Sequence, residues 1–183
     1  MATSSAVACF MARCRSPAVF TGRPSSENAT APAWTRAGKS ASDLEAVLAG
    51  IADGTVDAIA TDHAPHPSEL KQKSLAEAAF GIIGFETALG LALTRLVHTG
   101  RISLWHLVLL MSTNPARIIN QPLGRLRVGG AADLTVFDPN LGWTYRVAES
   151  RSKSRNSPFD GWKLRGAVTA TIVAGKIVCR RPA

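Results

Sequence analysis

The feature that most limits what this chain can fold into is the run at residues 56–61, Val-Asp-Ala-Ile-Ala-Thr, which passes directly into Asp62-His63-Ala64-Pro65-His66. The run is short, largely apolar and partly β-branched, as a buried strand is. Ahead of it, Ser42-Asp43-Leu44-Glu45 has the form of a capping box with Ser42 as N-cap, and Leu44, Val47, Leu48 and Ile51 follow at helical spacing until Gly54. Helix, strand and polar loop in that order make an α/β unit, in which functional groups collect at the carboxyl ends of strands.

The rest of the chain is compatible with such a body. Its 183 residues are 46% hydrophobic, enough for a packed core of about one domain. No run approaches the roughly 18–20 apolar residues of a membrane-spanning helix. Cys9, Cys14 and Cys179 make neither a dense disulfide framework nor a four-cysteine zinc site. The net charge of +8 raises the possibility of a nucleic-acid partner, but its distribution argues against one. Lys and Arg against Asp and Glu number 5 and 1 over residues 1–40, 7 and 10 over 41–139, and 9 and 2 over 140–183. The middle is acidic, and with 6% aromatics there is no interleaved basic and aromatic pattern.

Three regions follow from texture. Residues 1–41 are rich in Ala, Ser, Thr, Arg and Pro, without periodicity, and read as a disordered leader. Residues 42–120 carry the α/β pattern: residues 67–79 read as a polar loop and 85–98 as a buried helix stopped by Gly100. Ser103 caps a further helix, and Ser112-Thr113-Asn114-Pro115 starts a short one through Ile119. Residues 121–183 switch to strand chemistry, with a short strand within 124–130, an alternating strand at 132–137 and a turn at Asp138-Pro139-Asn140. An irregular loop at 150–162 follows, then two strands within 167–178 around Ala174-Gly175.

Asp62 is the residue most suited to chemistry. A carboxylate at a strand end beside two imidazoles can bind a metal or take a proton from water. By spacing alone, Asp62 can equally cap a turn and His63 can fix the loop by a local hydrogen bond.

The stretch Asp53-Gly54-Thr55-Val56-Asp57-Ala58-Ile59-Ala60-Thr61-Asp62-His63-Ala64-Pro65-His66 closely resembles the last barrel strand of dihydroorotases in the amidohydrolase superfamily. The likeness continues through Phe80-Gly81-Ile82-Ile83-Gly84-Phe85-Glu86-Thr87-Ala88-Leu89, Ser112-Thr113-Asn114-Pro115-Ala116, Gly129-Gly130-Ala131-Ala132-Asp133-Leu134-Thr135 and the loop from Ser152 to Gly161. Each segment is weak by itself, whereas the ordered set over about residues 42–181 is specific. The resemblance implies the C-terminal part of a zinc-dependent (β/α)8 TIM-type barrel followed by a small β unit, an α/β fold. It also implies a cytoplasmic enzyme of pyrimidine biosynthesis that interconverts N-carbamoyl-L-aspartate and dihydroorotate. Carried over by position, Asp62 looks like the carboxylate that binds zinc and shuttles the proton, and His66 like a contact to the substrate carboxylate. Phe80 and Gly81 fall in the loop whose backbone borders the substrate ring, with Ala79 where the family often has proline. His63 is read as orienting the loop, and residues 152–161 as a clamp between barrel and β unit.

The chain also departs from the family. It has four histidines and no His-x-His pair, so most of the family's zinc ligands are lacking, and Lys39 and Arg36 do not match the family's substrate-binding arginine. A complete barrel needs roughly 250 residues. The expectation is a truncated or frame-shifted reading frame, inactive alone and poorly soluble or oligomeric through exposed apolar faces. The alternatives are a non-catalytic dihydroorotase-like partner of aspartate transcarbamoylase, or a related hydantoinase or allantoinase.

Overall fold

A computed structural model describes residues 41–74 and 77–182, with the side chains of 41–44 left aside. The leader up to residue 40 and the proposed Ser42 cap lie outside the described residues.

Helix α1 (Ala41–Asp53) matches the periodicity, and Gly54, at φ 85°, ends it. Leu48 and Ile51 point from it into the main core with Val56, Leu93, Leu96, Leu107 and Leu110. Burying each leucine fully is worth about 1.5–3 kcal/mol before the cost of ordering it.

The run at 56–61 is buried at Val56 and Ala58 but lies in no ladder, contrary to the expected strand. A strand exists only through its neighbours. Here the backbone groups of the run are taken by other elements: Val56 N–H donates to Gly50 O (2.8 Å), Ile59 N–H to Leu110 O (3.0 Å), and the Asn114 side chain to Asp57 O (3.0 Å). Parallel pairing survives as one isolated bridge, His63 to Ile82. The segment expected to be all loop contains a four-residue helix, α2 (Ser68–Lys71).

Helix α3 (Ala88–Ala92) begins later than Phe85 and continues as a π-helical turn through Leu93–Val97. Ser103 caps α4 (Leu104–Val108) as expected, its Oγ accepting from His106 N–H at 3.1 Å. The short helix expected to start afresh at residue 112 is instead continuous with α4, through a π turn (Leu109–Thr113) into α5 (Asn114–Ile118). Pro115 has no N–H to continue an α-helical ladder. The wider turn, in which Asn114 N–H reaches back to Leu109 O, lets the helix pass the proline.

The last third is a three-stranded antiparallel sheet, β1 (Leu134–Thr144), β2 (Lys163–Val173) and β3 (Lys176–Arg180), in that spatial order. Ala174 and Gly175, at φ 48° and 76°, form the tight turn between β2 and β3 where it was expected. Asp138-Pro139-Asn140 does not reverse the chain. Asp138 Oδ1 accepts from Asn140 N–H (2.8 Å) as in a turn, but the segment is a bulge within β1, which an edge strand tolerates at proline. The strand expected within 124–130 is a series of turns instead, leaving Leu126 81% and Val128 105% exposed. It pairs with no described strand.

Two glycines let the sheet press onto α3. A Cβ at Gly90 would stand 3.2 Å from Leu164 and Trp143 side-chain atoms, and one at Gly166, whose φ is 102°, would stand 2.2 Å from Leu93 Cδ1. Leu164, Tyr145 and Phe159 form a second cluster there. This seats the 145–162 loop against the segments that carry the candidate site.

Candidate active site

Two loops make the site, residues 61–66 and 79–84. They are joined by the His63–Ile82 bridge, in which Ala64 N–H donates to Ile82 O at 2.9 Å. Each is then secured by side chains from elsewhere in the chain.

Asp62 is exposed and has φ 44°, a left-handed conformation that costs a non-glycine residue about 1–2 kcal/mol. Beside it, Thr61 Oγ1 is buried without a hydrogen-bond partner. Close packing forces this: a Cβ at Gly84 would sit 3.2 Å from Thr61 Cβ and Thr61 O. The carboxylate is therefore held out on a strained turn over a tightly packed base.

His63 fixes the loop, as the local reading of its imidazole expects. Its Nδ1 accepts from Gly84 N–H at 3.1 Å, and its ring stacks on Phe85 with centroids 3.8 Å apart and planes 4° from parallel. Accepting at Nδ1 requires the proton on Nε2 in the neutral ring. Burial lowers the His63 pKa below its ordinary value, against an opposing pull from the Glu86 carboxylate.

His66 Nε2 lies 2.6 Å from Phe80 O, so it is the donor there. Gly81 has φ 99° and meets Ala64 closely enough that a Cβ would lie 2.4 Å from the Ala64 Cβ. The four residues singled out by sequence, Asp62, His66, Phe80 and Gly81, thus lie on two mutually bonded loops, with His66 touching Phe80 directly.

Three further residues hold this geometry and escape sequence reasoning. Asn156, 6% exposed, donates from Nδ2 to Ala64 O (2.8 Å) and Gly81 O (3.2 Å), and its Oδ1 accepts from His66 N–H (3.3 Å). Its own carbonyl accepts from Ile83 N–H at 3.1 Å. Lys71 Nζ donates to Ala79 O (2.6 Å) and Gly81 O (2.7 Å), and burial lowers its pKa. Glu86 Oε1 accepts from Ser150 Oγ (2.6 Å) and Arg151 N–H (2.9 Å), tying the start of the α3 segment to the 150–162 loop. Asn156 lies inside the 152–161 stretch read as a clamp, so its region was legible while its role was not. Lys71 carried no signal beyond being one of several charges in a polar segment.

The donor set does not make a metal centre. Among the described residues no three His, Cys, Asp or Glu side chains are grouped to hold an ion. His63 Nδ1 accepts from Gly84 N–H, whereas His66, whose Nε2 donates to Phe80 O, keeps the lone pair of Nδ1; with Asp62 that is still fewer than three ligands. A stable zinc site takes three or more protein ligands. Among the described residues, too, no helix is long and apolar enough to cross a membrane.

Comparison with known proteins fits this architecture. The sequence model of the Amidohydrolase family matches residues 24–178, a span that includes residues 24–40 of the stretch set apart by texture. A dihydroorotase of Geobacter sp. (strain M21) is 51% identical over 140 residues, which cover 76% of this chain and 33% of that protein. A dihydroorotase of Desulfotalea psychrophila is 52% identical over 132 residues, 72% of this chain and 31% of that protein. The chain thus spans about a third of the length of these curated relatives. Among solved structures, an L-hydantoinase (dihydropyrimidinase) from Arthrobacter aurescens superposes with a TM-score of 0.76 at 33% identity, over 82% of this chain and 34% of that one. A dihydropyrimidinase from Brevibacillus agri, at 24% identity and a TM-score of 0.74 over 80% of this chain and 33% of that one, shares the fold. Families of this kind generally use a metal such as zinc. With its mixed α/β fold and a family match over most of its length, this chain belongs to the amidohydrolase family.

Proposed function

We propose that this chain supplies the closing β/α units and the following β unit of a dihydroorotase-type cyclic amidohydrolase on a (β/α)8 barrel. Such an enzyme would be cytoplasmic and would interconvert N-carbamoyl-L-aspartate and dihydroorotate in pyrimidine biosynthesis. The observation that carries the proposal is the joining of Asp62, His66, Phe80 and Gly81 on two bonded loops, in a chain about half identical to dihydroorotases.

Opening a cyclic amide requires a proton to leave the attacking water and another to reach the departing nitrogen. The exposed Asp62 carboxylate can take the first and deliver the second. His66 already donates from Nε2 to Phe80 O, so it can donate from Nδ1 to a substrate carboxylate only as the imidazolium. The backbone of Phe80 and Gly81 borders the ring of the substrate. Asp62 could ligate zinc among the described residues, but these residues do not fit the ion by themselves. The chain alone is accordingly expected to be inactive. An oligomer of the chain, or association with aspartate transcarbamoylase, would supply what it lacks in surface cover.

The likeness to an L-hydantoinase supports a second reading, a hydantoin-opening relative. Titration of the isotope-labelled chain with dihydroorotate and with a 5-substituted hydantoin separates the two. Dihydroorotate is expected to shift the signals of His66 and Gly81 while the hydantoin does not; the reverse pattern would overturn the choice. Zinc content and dihydroorotate turnover, expected to be substoichiometric and absent, test the inactivity of the chain alone. Co-purification with aspartate transcarbamoylase tests the non-catalytic alternative.

A further inference from the structure

Three successive carbonyls in the 79–84 loop are each taken by a side chain from another segment. Lys71 Nζ holds Ala79 O at 2.6 Å and Gly81 O at 2.7 Å, His66 Nε2 holds the intervening Phe80 O at 2.6 Å, and Asn156 Nδ2 adds a second bond to Gly81 O at 3.2 Å. A peptide group is planar and trans, so anchoring its oxygen also sets the direction of the N–H on the next residue. The peptide planes on both sides of Phe80 and of Gly81 are therefore oriented through their oxygens, two of the three by one lysine.

We propose that Lys71 is a positioning residue, which sets the orientation of the Phe80 and Gly81 peptide groups and so presents that backbone to the ligand. The role as presenter of a ligand-bordering backbone rests on the function proposed above; the anchoring does not. Bonds from a charged ammonium are roughly twice as strong as neutral ones and suit a site with no sheet ladder to hold it. Ala79 supplies a donor that a proline at position 79 would lack. Ala79 N–H donates to Leu70 O at 3.0 Å, closing α2 onto the loop, and the Lys71 side chain then grips the loop from the end of that same helix. Rigidity here comes from hydrogen bonds rather than from a ring.

The test compares Lys71→Met, which keeps the length of the side chain and removes its donors, with Lys71→Arg, which restores donors, and with Lys73→Met, an exposed lysine nearby, as control. Amide hydrogen exchange and the ¹⁵N signature of the His66 ring are read in the full 183-residue chain. Lys71→Met is expected to speed exchange at residues 79–84 by about tenfold and to disturb the His66 ring signal, while amides of β2 and β3 stay within about twofold. Lys71→Arg is expected to recover most of the protection. Unchanged exchange at 79–84 in Lys71→Met, or equal loosening in the arginine variant, would overturn the proposal. Dihydroorotate titration is run on the same samples, with weakening of about tenfold expected in Lys71→Met. If the parent chain shows no dihydroorotate response but Lys71→Met loosens the loop, the functional reading falls and the positioning role stands.

Discussion

The β2–β3 hairpin and the paired loops at 61–66 and 79–84 are both ordered segments of one chain, yet they are held in opposite ways. The hairpin carries its determinants locally: a tight turn at Ala174-Gly175 and a ladder between neighbours in sequence. The site loops share one isolated bridge and otherwise depend on side chains from elsewhere, including Asn156, 92 residues from Ala64. A ladder spreads backbone satisfaction over many equivalent bonds. A site loop held by three or four individual side chains can adopt a strained shape such as the positive φ of Asp62, at the cost that each holder is indispensable.

The largest expected effect comes from the contact by which β2 packs on the helical core. Gly166→Ala drives a Cβ into Leu93 and forces alanine to φ 102°. Overpacking costs about 1–3 kcal/mol and the left-handed conformation about 1–2 more, so urea unfolding should show a loss of about 2–5 kcal/mol. A loss under about 1 kcal/mol would mean that the sheet does not press on α3 as described.

Asn156→Ala should separate the regions. It removes bonds to Ala64 O, Gly81 O and His66 N–H, for a loss of about 2–3 kcal/mol, given that an unpaired buried group costs about 1–3. Amide exchange should accelerate at residues 64–66 and 81–83 and stay unchanged in β2 and β3. Uniform acceleration would mean that the clamp serves the whole fold rather than the site.

A smaller change sharpens the local side of the contrast. Ala174→Gly relieves about 1–2 kcal/mol of left-handed strain and gives back about 0.4–1 in unfolded-chain entropy. The net gain should be about 0.5 kcal/mol by thermal unfolding, with site-loop exchange unaffected.

The smallest effect is that of pH. Burial lowers the His63 pKa below 6.5, so the folded chain binds that proton less readily than the unfolded chain. Its contribution is complete above 6.5 and is lost as the pH falls from there through the lowered value, because protonated Nδ1 cannot accept from Gly84 N–H. Loop protection should therefore fall on acidification before hairpin protection does. His63→Asn, whose amide oxygen can accept without titrating, should flatten that response.

What could be read from sequence follows the same division. Gly54, the Ser103 cap and the Ala174-Gly175 turn were legible because each acts on its own neighbours within a few residues. The Asp62 loop stood out in the sequence because a carboxylate beside two imidazoles is an unusual ending for an apolar run. Lys71 and Asn156 were not legible as holders of that loop, since a lysine in a polar segment and an asparagine in an irregular one have many partners open to them until the chain is folded.

The failed strand and turn expectations have one cause. The runs at 56–61 and 124–130 have strand composition but no paired neighbours among the described residues, so their apolar content appears as burial at Val56 and Ala58 and as exposure at Leu126 and Val128. Residues 138–140 have turn composition, and the pairing of β1 with β2 absorbs them as a bulge. By itself, the sequence determined helix α1 and its stop, the Ser103 cap and the hairpin turn of this chain, because helix periodicity, capping and positive-φ turns act over short stretches of chain. Only the tertiary structure decided which apolar runs become strands and which side chains hold Phe80 and Gly81, because backbone pairing and hydrogen bonding depend on the groups that folding brings alongside.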